Sequence, residues 1–191
     1  MYHINEIFYS LQGEGIHTGE PAVFVRFSGC NLSCSWCDTD FTASQEMSAA
    51  QITDEVLRLW PDSQRKPFVI LTGGEPALQA DNKLVEALHA INAYVAIETN
   101  GTRQLADGFD WVTCSPKHNS FLRIKYASEV KVVYDGTYDP DIWRNELDSL
   151  NWLLQPLDDG NKTNTDEVVQ YILTHPSWRL SVQLHKILGF K

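Results

Sequence analysis

At 191 residues the chain is long enough for one domain with a substantial core and short for two. Its apolar share of 43% and charged share of 21% exclude large-scale disorder, and a formal charge of −10 argues against a nucleic-acid partner, which needs a basic face. Met1 to Glu6 lacks the positive start and apolar stretch of a secretory signal, and no apolar run is long enough to span a bilayer, so a cytoplasmic protein without a membrane partner is expected.

In chain order, Ile7 to Leu11 and Ala22 to Phe27 read as strands, and a cysteine-bearing loop follows at once. Ser48 starts a helix, with Gln51 placed to complete a capping box and Ile52, Val56, Leu59 and Trp60 on one face. Phe68 to Leu71 is a short buried strand ending in Thr72-Gly73-Gly74-Glu75-Pro76. A helix over Asp81 to Ile91 groups Leu84, Val85, Leu88 and Ile91. Strands at Tyr94 to Ile97 and Trp111 to Thr113 end in Glu98-Thr99-Asn100-Gly101 and Cys114-Ser115-Pro116-Lys117. After an irregular stretch come a strand over Glu129 to Val133, a helix near Asp141 to Leu147 and a strand Trp152 to Leu154 that runs into Gln155-Pro156. A helix from Thr165 to Leu173 and a closing strand from Leu180 to Leu184 finish the pattern. No internal repeat or linker interrupts it, so a single domain over 1–191 is expected.

Strands alternating with helices predict an α/β fold with a mainly parallel sheet, and such sheets bind ligands at the carboxyl ends of their strands. The cysteine loop, the Gly-Gly-Glu-Pro turn, Glu98-Thr99-Asn100, Ser115-Pro116-Lys117 and Gln155-Pro156 all fall there. The strands are too few for an eight-fold barrel, so a partial (βα) barrel with one active-site mouth is the expected architecture.

Cys30-Asn31-Leu32-Ser33-Cys34-Ser35-Trp36-Cys37 carries three thiolates in one loop, with three residues and then two between them. In a reducing compartment that spacing points to metal rather than disulfides. Three soft anionic ligands suit an iron–sulfur cluster or zinc. Structural zinc needs four closed ligands, and the fourth would have to be Cys114 or a histidine such as His118, far along the chain. Three cysteines on a [4Fe–4S] cluster would instead leave one iron open for chemistry.

The C-x3-C-x2-C spacing with Trp36 before the last cysteine resembles the radical S-adenosylmethionine superfamily, and Gly73-Gly74-Glu75-Pro76 resembles its glycine-glutamate turn. The resemblance implies that the open iron holds S-adenosylmethionine and that an electron from the cluster cleaves it to a 5′-deoxyadenosyl radical. Phe8-Tyr9-Ser10-Leu11-Gln12-Gly13-Glu14-Gly15, Val25-Arg26-Phe27-Ser28-Gly29 and Cys37-Asp38-Thr39 look like the 7-carboxy-7-deazaguanine synthase family. The likeness continues through Glu98-Thr99-Asn100-Gly101, Ser115-Pro116-Lys117 and Gln155-Pro156 to His185-Lys186. That family converts 6-carboxy-5,6,7,8-tetrahydropterin to 7-carboxy-7-deazaguanine with loss of ammonia, a step toward queuosine. It uses Mg²⁺, and its members are typically homodimers reduced by a flavodoxin or ferredoxin.

Carried over residue by residue, the resemblance implies cluster ligation by Cys30, Cys34 and Cys37 and Mg²⁺ contact by Thr39. It implies S-adenosylmethionine contacts from Trp36, Gly74, Glu75, Glu98, Ser115, Lys117 and Gln155, and substrate contacts from Gln12, Glu14, Arg26, Thr72 and His185. The chemistry agrees at several of them: Arg26 offers a cationic fork for a carboxylate, and Gln12 and Glu14 offer donors and acceptors for an amide-like edge. Each has a plainer reading too, Arg26 as a surface ion pair, Thr39 as a loop hydrogen bond and His185 as a structural histidine at the end of the last strand. Cys114 reads as a buried, inert strand cysteine, and Trp60, Trp111, Trp143, Trp152 and Trp178 as core or subunit interface. Two alternatives stand beside this reading: an activase that places a glycyl radical on a partner protein, and a non-enzymatic zinc module.

Overall fold

The computed structural model describes residues 1–62, 64–158 and 162–191. Among them nine strands form one sheet: β1 (Tyr2–Leu11), β2 (Pro21–Phe27), β3 (Gln45–Met47), β4 (Phe68–Gly73), β5 (Tyr94–Thr99), β6 (Trp111–Cys114), β7 (Glu129–Tyr134), β8 (Trp152–Pro156) and β9 (Arg179–Leu180). Their order is β3-β1-β2-β4-β5-β6-β7-β8-β9. From β2 to β9 every neighbouring pair is parallel, while β1 runs antiparallel to both β2 and β3. This is the mainly parallel, incomplete barrel that the alternation predicts.

Helices cover the outer face. α1 (Ala49–Leu59) starts at the expected capping box, in which Ser48 Oγ accepts from Gln51 N–H and Gln51 Oε1 accepts from Ser48 N–H. It buries Ile52 and Val56 completely, and truncating such an isoleucine to alanine costs about 2–5 kcal/mol. α2 (Asn82–Ala90) is capped by Asp81, whose carboxylate accepts from Leu84 N–H at 3.0 Å. α3 (Thr165–Thr174) packs against β8 and β9 through Val168.

Side-chain alternation then sorts the strands. Val23, Val25 and Phe27 of β2 join the core beneath α1 and α2, whereas Ala22 and Phe24 belong to a separate interior cluster with Phe68, Ile70 and Ala96. In β7, Val130, Val132 and Tyr134 face the outer core with Trp143, Trp152 and Trp178. Glu129 and Lys131 consequently point inward, because successive strand residues alternate faces. The interior is thus apolar toward the amino ends of β2, β4 and β5, and polar above and beside that.

Three details depart from the sequence-based expectation. β3 sits inside the connection from Thr39 to Ser48, where no strand is predicted. The helix expected near Asp141 to Leu147 is a 3-10 helix over Pro140–Asn145, entered through Asp139 and Pro140. The closing strand is only Arg179–Leu180; residues 184–188 form α4 (Leu184–Leu188), ended by Gly189 in the left-handed region. The alternation of Leu180, Val182 and Leu184 mimics a strand, but Leu184 N–H donates to Gly13 O at 2.9 Å and turns the chain across the sheet. His185 therefore lies on a helix, not at a strand end.

The sequence leaves open where the Gln12-Gly13-Glu14-Gly15 turn sits, and the strand pairing decides it. Because Leu11 pairs with Pro21, the first residue of β2, the 12–20 connection starts at the amino ends of the parallel strands, opposite the cysteine loop. From there it folds into the barrel. The His17 ring packs 5.0 Å from Phe68, 6.2 Å from Tyr94 and 4.5 Å from Trp111, the first residues of β4, β5 and β6. Ile16 N–H donates to Glu129 at 2.8 Å, at the start of β7. The connection is the floor of the barrel, and Gln12 and Glu14 rise from it.

Candidate active site

A cavity of about 1160 Å³ opens at the carboxyl ends of the strands. It is lined by Gln12, Glu14, Arg26, Cys30, Cys34, Trp36, Cys37, Thr39, Thr72, Gly74, Glu98, Ser115, Lys117, Gln155 and His185. Every residue that the sequence nominates is there except Glu75, which is buried behind the wall.

The glycine turn holds the cysteine loop in place. A Cβ on Gly74 would come within 1.9 Å of Gly29 O and 3.1 Å of Cys30 N, and Glu75 N–H donates to Gly29 O at 2.9 Å. The close approach that glycine permits here is to the protein's own backbone. Glu75 accepts from Ala77 N–H at 3.0 Å, Thr99 Oγ1 at 2.7 Å and Asn100 N–H at 2.7 Å. Burial raises its pKa, against those three bonds. Asn100 and Thr102 complete the mount, with Asn100 Nδ2 donating to Asn31 Oδ1 at 3.2 Å and Asn31 Nδ2 to Thr102 Oγ1 at 2.8 Å.

All three loop cysteines are free thiols on one wall, with Cys37 N–H donating to Cys34 O at 3.2 Å. Burial raises the Cys34 thiol, the neighbouring Cys37 and Cys30 add to that, and Lys117 opposes it. Among the described residues no three of His, Cys, Asp or Glu converge on a point that would hold one ion. Three thiolates from one loop suit a polynuclear cluster, in which each iron takes its own thiolate. Cys114 is fully buried on the outer face, its thiol pushed up to about 12 chiefly by burial, and takes no part.

Lys117 donates to Ser115 O and Ser115 Oγ, both at 2.8 Å, and lies 5.3 Å from the Trp36 ring centre. Burial lowers its pKa. A smaller cavity of about 290 Å³ adjoins here, sharing Cys34, Trp36 and Lys117 with the first and bounded by His118 stacked on Tyr138 at 4.1 Å.

On the opposite wall, Arg26 donates through Nε to Glu6 at 3.0 Å and its guanidinium lies 5.7 Å from the Phe8 ring centre. The side chain lines the cavity, as does Thr72, its partner on β4. The plain ion pair and the carboxylate fork are therefore compatible. Gln12 Nε2 donates to Glu98 Oε1 at 2.7 Å, and Gln12 Oε1 accepts from Glu14 N–H at 3.1 Å. Gln155 accepts from Ser181 Oγ at 2.9 Å, which leaves its amide nitrogen for the cavity.

Sequence reasoning missed the charge at the centre of this floor. Lys131 Nζ pairs with Glu14 Oε2 and lies 3.8 Å from Glu98 Oε2, with only 5% of its side chain exposed. Burial would discharge Lys131, but Glu14, Glu98 and Glu129 outweigh it and raise its pKa. Gln183 was missed as well; its Nε2 donates to Glu14 at 3.0 Å and to Asp38 at 3.1 Å. Lys186 then reaches Asp38 at 2.7 Å, so the segment through α4 ties the floor to the residue after Cys37.

The profile of the radical SAM superfamily matches residues 24–145. A 7-carboxy-7-deazaguanine synthase from Bacteroides thetaiotaomicron is 50% identical over 191 residues, covering 100% of both chains. The chain belongs to this family. A second 7-carboxy-7-deazaguanine synthase, from Bradyrhizobium diazoefficiens, is 40% identical over 100% of this chain and 99% of that one. The crystal structure of QueE from Escherichia coli superposes with a TM-score of 0.79 at 27% identity, covering 96% and 94% of the two chains. As in the radical SAM superfamily at large, the family's cysteine loop serves a [4Fe–4S] cluster and S-adenosylmethionine, and here the three thiols, Gly74 and Lys117 line one cavity.

Proposed function

We infer that the protein is a 7-carboxy-7-deazaguanine synthase, contracting the ring of 6-carboxy-5,6,7,8-tetrahydropterin with loss of ammonia. The observation that carries this is the union, in one cavity, of the cysteine triplet with Arg26, Gln12, Glu14, Thr39 and His185. When bound, the cluster supplies the electron that cleaves S-adenosylmethionine. The chain's own residues do the rest. Arg26 receives the pterin carboxylate, with its free nitrogens as a fork. Gln12 and Glu14 meet the amide-like edge, and Thr39 offers a neutral oxygen to Mg²⁺. His185, whose Nδ1 would sit 2.4 Å from a Cβ on Gly13, closes the pterin's side of the cavity. Trp36, Gly74, Glu98, Ser115, Lys117 and Gln155 form the S-adenosylmethionine side, and Glu75 acts through the mount it makes for the cysteine loop.

The closed floor favours a small substrate over the protein substrate of a glycyl-radical activase, which needs an open groove. The wider proposal is a single-domain, cytoplasmic homodimer reduced by a flavodoxin or ferredoxin.

The test is anaerobic reconstitution, then incubation with reductant, S-adenosylmethionine, Mg²⁺ and the pterin. A [4Fe–4S] spectrum and a deazaguanine product are expected. Cluster assembly without pterin turnover would overturn the substrate, and failure to bind iron would overturn the radical chemistry.

A further inference from the structure

Lys131 belongs to none of the groups that hold the cluster or S-adenosylmethionine, yet it is the most enclosed cation facing the floor. A lysine inside a barrel is costly unless it is paired, and Lys131 meets that cost by pairing with Glu14, a residue of the cavity wall. The charged groups around it come from the 12–20 connection, β5 and β7. Glu14 rises from the 12–20 connection and touches Nζ, Glu98 of β5 lies at 3.8 Å, and Glu129 is two residues back on the same face of β7. Lys117 feels both Lys131 and Glu14 electrostatically, and His185 of α4 adds positive charge at Glu14.

Glu129 is already occupied, accepting from Thr113 Oγ1 at 2.9 Å and from Ile16 N–H at 2.8 Å. Glu14 is bonded at both oxygens too, Oε2 to Lys131 and Oε1 to Gln183 Nε2, which fixes its orientation, but unlike Glu129 it lines the cavity, with 15% of its side chain exposed. Burial alone would favour the neutral acid at Glu14, but Lys131, helped by Gln183 and His185, holds it below the usual carboxylate range.

We propose that Lys131 is a positioning residue for substrate recognition, holding Glu14 as an oriented anion so that it accepts hydrogen bonds from the donor edge of a pterin-like ring. This rests on the substrate reading above and adds to it the group that sets the acceptor. A neutral acid at Glu14 would turn one oxygen into a donor and oppose the ring's N–H groups.

The test is the pH dependence of kcat/KM for the pterin in Lys131→Met and Lys131→Arg enzymes, with iron content and the cluster spectrum as the measure of folding. In Lys131→Met, the KM for the pterin should rise about tenfold with kcat changed less, and the acid limb should move up by about one pH unit or more. Lys131→Arg should keep the wild-type limb. An acid limb in Lys131→Met that coincides with wild type, or a loss confined to kcat, would overturn the proposal. If Lys131→Met does not fold, Glu98→Gln with and without Lys131→Met carries the same comparison with one buried carboxylate fewer, and coincident limbs in that pair overturn it equally. Wild-type enzyme that does not turn over the pterin would overturn the substrate reading and this inference together, whereas normal wild-type turnover with an unmoved limb overturns this inference alone.

Discussion

At the scale of single residues, several polar groups of the site combine fixed partners with a place on the cavity wall. Arg26 is the clearest case, with Nε committed to Glu6 and the terminal nitrogens open. Arg26→Ala should raise the KM for the pterin at least about tenfold while leaving cluster content unchanged. Steady-state kinetics on reconstituted enzyme reads this, and an unchanged KM would remove Arg26 from the carboxylate site. Glu75 shows the opposite arrangement. Its two oxygens accept three internal hydrogen bonds and none of its surface faces the cavity, so its contribution is to the shape of the wall.

At the scale of elements, the glycine turn after β4 and the cysteine loop after β2 form one mechanical unit. With 1.9 Å between a Cβ on Gly74 and Gly29 O, Gly74→Ala must displace the backbone that leads into Cys30. The expected cost is about 1–3 kcal/mol of stability, as for other overpacked sites, together with a lower iron content after reconstitution. A variant that melts and loads iron like wild type would show that the loop is mounted elsewhere. The elements also show what the sequence could and could not convey. The capping box at Ser48, the parallel alternation and the cysteine spacing are local signals, each readable within about ten residues. Lys131 is not, because Glu-Val-Lys-Val-Val-Tyr alternates polar and apolar residues just as a strand with one solvated face does. Only the inward fold of the 12–20 connection, which brings Glu14 across to Lys131, makes that polar face an interior one. The 12–20 connection was legible as a turn with glycines, but its place at the floor depends on the antiparallel β1–β2 pairing. Likewise α4 hides behind a strand-like alternation, since the bond from Leu184 to Gly13 is long-range.

On the scale of the whole molecule, two layers differ in what they bury. The sheet and its helices enclose completely buried Val25, Ile52, Val69, Leu84, Val95, Val130 and Leu154, whereas no residue of α4 is buried. Hydrogen exchange should therefore show the slowest amides in β2, β4, β5 and β7, and faster exchange in α4 and in the 116–121 segment, because opening free energies follow local burial. Protection of α4 equal to that of β4 would mean that the wall over the cavity is as firmly built as the core.

The bond from Gln183 to Glu14 joins residues 169 apart in sequence. Closing so long a stretch of chain has a high entropic cost, and contacts of that kind form late in folding. The hydrophobic layers beneath the helices, made from neighbouring strands, have no such delay. The protein should thus acquire its scaffold first and its catalytic chamber last, so that for part of each folding event the cysteine loop stands on a finished sheet with the chamber still open to incoming iron and sulfide.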